Sequence, residues 1–151
     1  MKHKVLYYMV DGSTEAGQAA LDAIEGGDQI ELVGCAHEPN VCPTAEQLAG
    51  CEGFVGEFGP VDDACADAMA AAGMRVVSNM SIGLNHVAVD RLASHGITVT
   101  NCPGYCSDDV AQHTVALMLD LMRQVTLLNR DVRDGAWNPL AGYTCLLYTS
   151  P

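Results

Sequence analysis

Basic residues are scarce in this sequence of 151 residues, which has 7 Lys and Arg against 19 Asp and Glu. The formal net charge at pH 7 is therefore -12. Nucleic acids and anionic membranes bind proteins through clustered Lys and Arg, so neither is expected as the main partner. Aromatic residues are also few, at 5%. Ala, Gly and Val fill the apolar share instead, which suits helices packed closely against a sheet.

Long apolar runs and paired cysteine motifs are missing as well. No stretch reaches the ~18 apolar residues of a membrane-spanning helix. The opening letters, MKHKVLYYMVDGSTE, hold too short an apolar run for a signal peptide, so a cytoplasmic protein is expected. The 7 cysteines include no Cys-x-x-Cys pair. The sequence therefore predicts no metal site and favours reduced, mostly buried thiols.

Apolar runs alternate with helical patterns along the first hundred residues. Buried strands are predicted at 5–10, 29–36, 53–58, 74–80 and 97–101. Helices are predicted at 13–27, after Thr44, at 61–73 and at 86–96, and Thr44 with Gln47 fits a capping box. This alternation, with short turns, predicts a doubly wound α/β fold whose parallel sheet is covered by helices on both faces.

One strand ends in a small polar loop just before a helix. The stretch VVSNMSIGLNHVAVD (76–90) begins as a buried strand and breaks at Ser81, Ile82 and Gly83. In open α/β sheets, ligands bind at the carboxyl ends of the strands. Glycine lets a backbone approach a ligand closely, and successive N–H groups can hold an anion. An ordinary strand-to-helix turn is the alternative interpretation.

A long helix is predicted after the last strand. Ser107 suits the N-cap, Asp108 and Asp109 suit the first turn, and Gly135 can end the helix. Apolar residues recur close to the helical period at 110, 111, 117, 118, 121, 122, 125 and 128. About 27 residues would form a rod of roughly 40 Å. Such a helix is expected to contact a second domain or subunit.

The end of the sequence does not follow from the preceding pattern. CLLYTSP (145–151) is the translation of TGTCTCTTATACACATCTCCG, a transposon-end adaptor used in preparing sequencing libraries. We therefore expect 145–151 to be adaptor read-through and exclude it from the fold. The natural gene is expected to continue, which would make the chain an amino-terminal fragment.

The stretch from Ser81 to Trp137 resembles the D-isomer-specific 2-hydroxyacid dehydrogenase family. That family has a Gly-x-Asp-x-(Val/Ile)-Asp loop, then Gly-Ile-x-Val-x-Asn-x-Pro-Gly, a Val-Ala-Glu-His-type helix and Val-Arg-x-Gly-x-Trp. This sequence has IGLNHVAVD, HGITVTNCPG, DVAQHTVAL and DVRDGAW in the same order. It departs at Asn85, Ala88 and Gln112, where the family has Asp, Asp and Glu. MSIGLNHVAVD is most similar to the glyoxylate/hydroxypyruvate reductase branch.

The resemblance implies a two-domain parent protein. Residues 1–104 would form a flavodoxin-like substrate domain, and 105–137 a long interdomain helix and linker. Residues 138–144 would begin the connection to a Rossmann cofactor domain that this chain lacks. The family's catalytic Arg, Glu and His and its glycine-rich pyrophosphate loop would also lie beyond the chain. The sequence itself contains no Gly-x-Gly-x-x-Gly.

The resemblance also assigns candidate site residues. Ile82 and Gly83 match positions whose backbone N–H groups hold the substrate carboxylate, and Ser81 beside them could add a hydroxyl. Tyr105 matches a position that lines the substrate pocket in some members, with a structural tyrosine as the alternative. Val110 and Thr114 match the part of the helix that faces the nicotinamide, with helix packing as the alternative.

The resulting prediction is a fragment of a dehydrogenase. The parent would transfer hydride between NAD or NADP and a 2-keto or 2-hydroxy acid, and a histidine outside this chain would exchange the proton. The fragment alone is expected to be inactive, and the intact protein is expected to be a homodimer. The alternative is a non-enzymatic relative that senses the nucleotide and acts as a transcriptional corepressor.

Overall fold

The structure is a computed structural model that describes residues 2–57 and 59–137. The chain divides into two compact units, Met1–Tyr105 and Cys106–Pro151. The expectations of a domain connection at 138–144 and of adaptor read-through at 145–151 therefore fall outside the described residues.

The first unit contains a parallel sheet of five strands. The strands are β1 (His3–Met9), β2 (Ile30–Ala36), β3 (Gly53–Gly56), β4 (Val76–Asn79) and β5 (Thr98–Thr100). Their spatial order is β2-β1-β3-β4-β5, and every neighbouring pair is parallel. This is the strand order of flavodoxin-like folds. The predicted fold class is confirmed, although β3 and β4 are shorter than the sequence pattern indicated.

Four helices accompany the sheet, and one side of it carries the main core. The helices are α1 (Glu15–Asp22), α2 (Ala45–Leu48), α3 (Asp63–Ala71) and α4 (Val89–Ser94). Leu6, Phe54 and Val77 point to the side where Met69 of α3 and Leu92 of α4 pack, all at 2% exposure or less. These positions are aligned across the strands by the parallel register. The apolar alternation of the strands therefore determines which face is buried.

The opposite face of the sheet is approached by α1. A methyl group added at Gly17 of α1 would lie 2.8 Å from side-chain atoms of both Tyr7 and Leu32. Tyr7 follows the core residue Leu6, so its side chain points to the other face of the sheet. Only a residue without a side chain allows α1 to pack this closely. Helices thus lie on both faces, as the alternating pattern predicted.

Two helix starts are set by side-chain caps. The hydroxyl of Thr44 accepts a hydrogen bond from the Gln47 N–H at 3.4 Å, and the Gln47 side chain accepts one from the Thr44 N–H at 2.8 Å. This confirms the predicted capping box. At α3, the Asp62 carboxylate accepts a hydrogen bond from the Cys65 N–H at 2.8 Å.

Replacing Asp62 with alanine is expected to lower the free energy of unfolding by about 0.5–2 kcal/mol, because the first turn of α3 loses its cap. Urea denaturation measures this difference. The Asp63→Ala variant is the matched control, because Asp63 lies in the first turn of α3 without capping it. An equal loss of stability in the two variants would show that the cap at Asp62 has no special role.

The long helix that the sequence predicts is interrupted. It consists of α5 (Ser107–Arg123) and α6 (Val125–Arg133), with Gln124 between them in the left-handed conformation at φ 54° and ψ 35°. The Asp120 carboxylate accepts a hydrogen bond from the Thr126 N–H at 2.7 Å, which gives that N–H a partner outside the helix. The prediction of one continuous helix is therefore wrong. Cys106, and not Ser107, occupies the N-cap position.

The cysteines are less buried than predicted. Cys51 and Cys65 are buried, Cys102 is exposed, and the other three described cysteines are half-buried. All six are unpaired thiols. Burial raises the pKa of the Cys65 thiol to about 12. Over 2–57 and 59–137, no cluster of His, Cys, Asp and Glu could hold a metal ion, and no helix has the length and apolar character to cross a membrane.

Candidate functional site

The loop after β4 is built around a buried asparagine. Asn79, the last residue of β4, is only 3% exposed. Its side-chain amide donates hydrogen bonds to Ser81 Oγ at 2.6 Å and to the Gly83 carbonyl at 2.9 Å. Its Oδ1 lies 3.2 Å from His86 Nε2. One buried side chain therefore holds both ends of the Ser81–Gly83 segment.

A second tether comes from the chain that follows β5. The Asn101 side chain donates a hydrogen bond to the Ile82 carbonyl at 2.8 Å, and the Cys102 N–H donates one to the Ser81 carbonyl at 3.1 Å. Ser81 Oγ also donates to the Gly83 carbonyl at 3.0 Å. All three carbonyls of the loop are thus engaged, which fixes the directions of its peptide groups.

The backbone donors of the same loop are not engaged. The N–H groups of Ile82 and Gly83 donate to no group within the described ranges of the chain. Ile82 is 45% exposed, and a methyl group added at Gly83 would meet no atom within 4 Å. Two adjacent N–H groups beside open space can donate hydrogen bonds to the oxygen atoms of an anionic ligand. The anion-binding role of these two residues remains a prediction.

The other predicted site residues stand in different parts of the chain. Tyr105 ends the first unit and is 66% exposed. Val110 and Thr114 lie on the first turns of α5, in the second unit. The Thr114 hydroxyl donates a hydrogen bond to the Val110 carbonyl at 2.7 Å, so it is used within its own helix. Hydrogen bonds hold Ser81, Ile82 and Gly83 in one loop, and the binding roles of all six candidate residues remain predictions.

A pocket of about 370 Å³ opens at the carboxyl ends of the strands. Its lining residues are Tyr7, Met9, Val10, Asp11, Ser13, Ala16, Glu57 and Met80. Ala16 belongs to α1, and the others lie in or after the ends of β1, β3 and β4, so the pocket is at the β1/β3 switch point, where ligands bind in this fold. A larger cavity of about 740 Å³ lies at the opposite edge of the sheet, near His3 and Arg75. We favour the smaller pocket because it adjoins the loop with the unengaged donors.

Positive side chains are remote from this edge of the first unit. Its Lys and Arg residues are Lys2, Lys4, Arg75 and Arg91. The first three lie at or just before the amino-terminal ends of strands. Arg91 donates two hydrogen bonds to Asp67, at 2.7 and 2.9 Å, and thereby holds the pKa of that carboxyl at about 2. An anion at the β4 loop would therefore rely on backbone donors.

Sequence reasoning found the loop but missed two residues that shape it. Asn79 and Asn101 each come at the end of an apolar or β-branched strand pattern. A polar residue at the carboxyl end of such a strand was the signal in the sequence that could have identified them. Their partners depend on tertiary contacts that residue spacing alone does not reveal.

The fold and the loop define the class of the protein: a flavodoxin-like α/β domain whose β4 loop carries two unengaged N–H groups at the carboxyl ends of the strands. A family model then identifies the family. The model for the D-isomer specific 2-hydroxyacid dehydrogenase, catalytic domain, matches residues 9–149. The chain therefore belongs to the D-isomer-specific 2-hydroxyacid dehydrogenase family.

Individual relatives agree with this family but are longer than the chain. A D-lactate dehydrogenase of Streptococcus agalactiae serotype III is 29% identical over 97 residues, which cover 64% of this chain and 29% of that protein. The glyoxylate reductase/hydroxypyruvate reductase of Mus musculus is 36% identical over 78 residues, which cover 52% of this chain and 24% of that protein. The matched part is thus less than a third of either relative.

Solved structures give the same fold. The pyruvate reductase of Chlamydomonas reinhardtii matches with a TM-score of 0.68 at 24% identity, covering 95% of this chain and 42% of that one. The D-lactate dehydrogenase of Aquifex aeolicus, complexed with NAD and lactic acid, matches with a TM-score of 0.69 at 20% identity, covering 89% of this chain and 38% of that one. At these identities, the likeness supports the fold alone.

Proposed function

We propose that the protein to which this chain belongs is an NAD(P)-dependent D-2-hydroxyacid dehydrogenase. It would reduce a 2-keto acid to the D-2-hydroxy acid or catalyse the reverse reaction. The observation that carries the proposal is the pair of unengaged N–H groups at Ile82 and Gly83, held in place by Asn79 and Asn101. A 2-keto acid always carries a carboxylate next to the reacting carbon, so this pair would position every member of the substrate class.

The residues of the chain fit the substrate better than the nucleotide. A dinucleotide pyrophosphate is usually held by a glycine-rich loop at a helix start, and no Gly-x-Gly-x-x-Gly occurs in this sequence. When bound, the nicotinamide would supply the hydride. The part played by this chain is to bind the carboxylate through Ile82 and Gly83 and to form one side of the pocket. Val110 and Thr114 remain our candidates for contacts with the nicotinamide side.

Catalysis would therefore need more than these residues. We expect the 151-residue chain to show no oxidation of NADH in the presence of pyruvate, glyoxylate or hydroxypyruvate. A protein that joins this segment to a complete cofactor domain is expected to oxidise NADH with at least one of them. Loss of absorbance at 340 nm measures both reactions.

Two outcomes would overturn parts of this proposal. Turnover by the 151-residue chain would contradict its inactivity. Tight nucleotide binding by the longer protein, without turnover of any 2-keto acid, would favour the nucleotide-sensing corepressor instead. In that case, the anion site at Ile82 and Gly83 would have another ligand.

The intact protein is proposed to be a homodimer in the cytoplasm. Leu117, Met118 and Leu121 lie within one turn of α5 and are 52%, 51% and 80% exposed. An apolar helix surface of this kind commonly packs against a second subunit. The six cysteines of the described residues are unpaired, which suits a reducing compartment.

A further inference from the structure

The pocket beside the β4 loop has apolar walls and an acidic rim. Met80 lines it and is 38% exposed, and the side chains of Tyr7 and Met9 form its floor with exposures of 6% and 5%. Met80 is two residues before Ile82. At most about 7 Å of backbone therefore separates this lining residue from Ile82, whose N–H group is the first unengaged donor. A carboxylate held at Ile82 and Gly83 would thus leave the rest of a small substrate close to this pocket.

Two acidic residues that follow different strands line this pocket. Asp11 follows β1 and accepts a hydrogen bond from the Ser13 N–H at 2.9 Å, which fixes one of its oxygens. Glu57 follows β3 and is anchored through its backbone, because its N–H donates to the Tyr8 carbonyl at 3.3 Å. The parallel register of β1 and β3 brings these residues to the same edge, although they are far apart in sequence.

No cation offsets these two charges within the pocket. None of the residues that line it is Lys, Arg or His, and the Lys and Arg side chains of the described first unit lie elsewhere. A second carboxylate on the substrate would therefore meet two like charges without a partner. Like charges in a partly desolvated pocket disfavour binding more strongly than they would in water.

We propose that this pocket receives the carbon chain of the substrate beyond the keto carbon, and that Asp11 and Glu57 restrict it to 2-keto acids with a single carboxylate. The inference rests on the proposed function, because it assumes that the substrate carboxylate is held at Ile82 and Gly83. It specifies the substrate class. 2-Keto acids with a short chain that is neutral or cationic beyond the keto group are accepted, and dicarboxylates are excluded.

The matched probes are 2-oxovalerate and 2-oxoglutarate. Both have five carbons, and they differ in a terminal methyl group versus a terminal carboxylate. Titration of the ¹⁵N-labelled 151-residue chain with each acid, followed at the amides of Ile82 and Gly83, measures both affinities. We expect 2-oxovalerate to bind at least ~10-fold more tightly than 2-oxoglutarate.

The test variant carries Asp11→Asn and Glu57→Gln together. Asparagine retains the oxygen that accepts the Ser13 N–H, so the turn after β1 is kept. The preference for 2-oxovalerate is expected to fall to about 2-fold or less. Each single variant, with a smaller expected fall, provides the same comparison if the double variant folds poorly.

The control variant carries Glu25→Gln and Asp28→Asn, which remove the same charge. Asp28 lies two residues before β2 begins at Ile30, at the amino-terminal edge of the sheet, and both residues are exposed. This variant is expected to keep the original preference. An equal fall in the control would assign the preference to overall charge and overturn the role of Asp11 and Glu57.

The two proposals fail in different ways. If neither acid shifts the amides of Ile82 and Gly83, the proposed substrate site itself is wrong. If both acids shift them with equal affinity in the unaltered chain, the substrate site stands and the exclusion of dicarboxylates is wrong.

Discussion

Replacing Asn79 with alanine is expected to abolish detectable binding of pyruvate and to lower the free energy of unfolding by about 1–3 kcal/mol. Asn79 is buried and donates to both Ser81 Oγ and the Gly83 carbonyl. Without its side chain, these groups lose partners, and the loop that carries the two unengaged N–H groups is no longer held in place. Pyruvate titration followed by amide resonances and urea denaturation measure the two effects.

Ser78→Ala is the control for this experiment. Ser78 is the preceding residue of β4, and its side chain makes no hydrogen bond with the described part of the protein. We expect that variant to bind pyruvate normally and to unfold at nearly the same urea concentration. Normal pyruvate binding by the Asn79→Ala variant would mean that Asn79 is not needed to shape the site.

Gly83→Ala and Gly96→Ala are expected to have opposite effects. At Gly83, an added methyl group meets no protein atom within 4 Å and the φ angle is not left-handed, so the fold should tolerate alanine. The methyl group would, however, occupy the open space beside the anion site, and pyruvate affinity is expected to fall at least ~10-fold. Stability should stay the same or rise by about 0.4–1 kcal/mol.

Gly96 also has open space around it, but its φ is +74°. Alanine there is expected to cost about 1 kcal/mol of stability because the left-handed conformation is strained for a residue with a side chain. Pyruvate binding should remain unchanged, since Gly96 follows α4 at the other edge of the sheet. If Gly83→Ala bound pyruvate as tightly as the unaltered chain, the space beside Gly83 would not be the ligand site.

The local features of the fold could be predicted because each is encoded within a few residues. The capping box at Thr44 and Gln47 is a four-residue pattern, and it forms as expected. The alternation of strands and helices also specifies a parallel sheet, since parallel neighbours need a crossover. The break at Gln124 could not be predicted in this way, because the apolar period continues through it and the Asp120 contact with Thr126 that accompanies it is a feature of the folded chain.

The candidate site could be predicted only in part. Ile82 and Gly83 are predicted as site residues because a strand ends in a small loop and because that loop resembles the family motif. Asn79 and Asn101 were missed, since their roles depend on which groups the folded chain places against their side chains. The convergence of Asp11 and Glu57 depends on the register of β1 and β3, which the sequence does not specify.

The most direct test of the central claim is a crystal structure of this chain with bound pyruvate. We predict that its carboxylate oxygens lie within about 3.2 Å of the backbone nitrogens of Ile82 and Gly83. We also predict that the Asn79 and Asn101 hydrogen bonds to the loop are preserved. Pyruvate bound only in the cavity near His3 and Arg75, with the amides of Ile82 and Gly83 without contact to it, would contradict the claim.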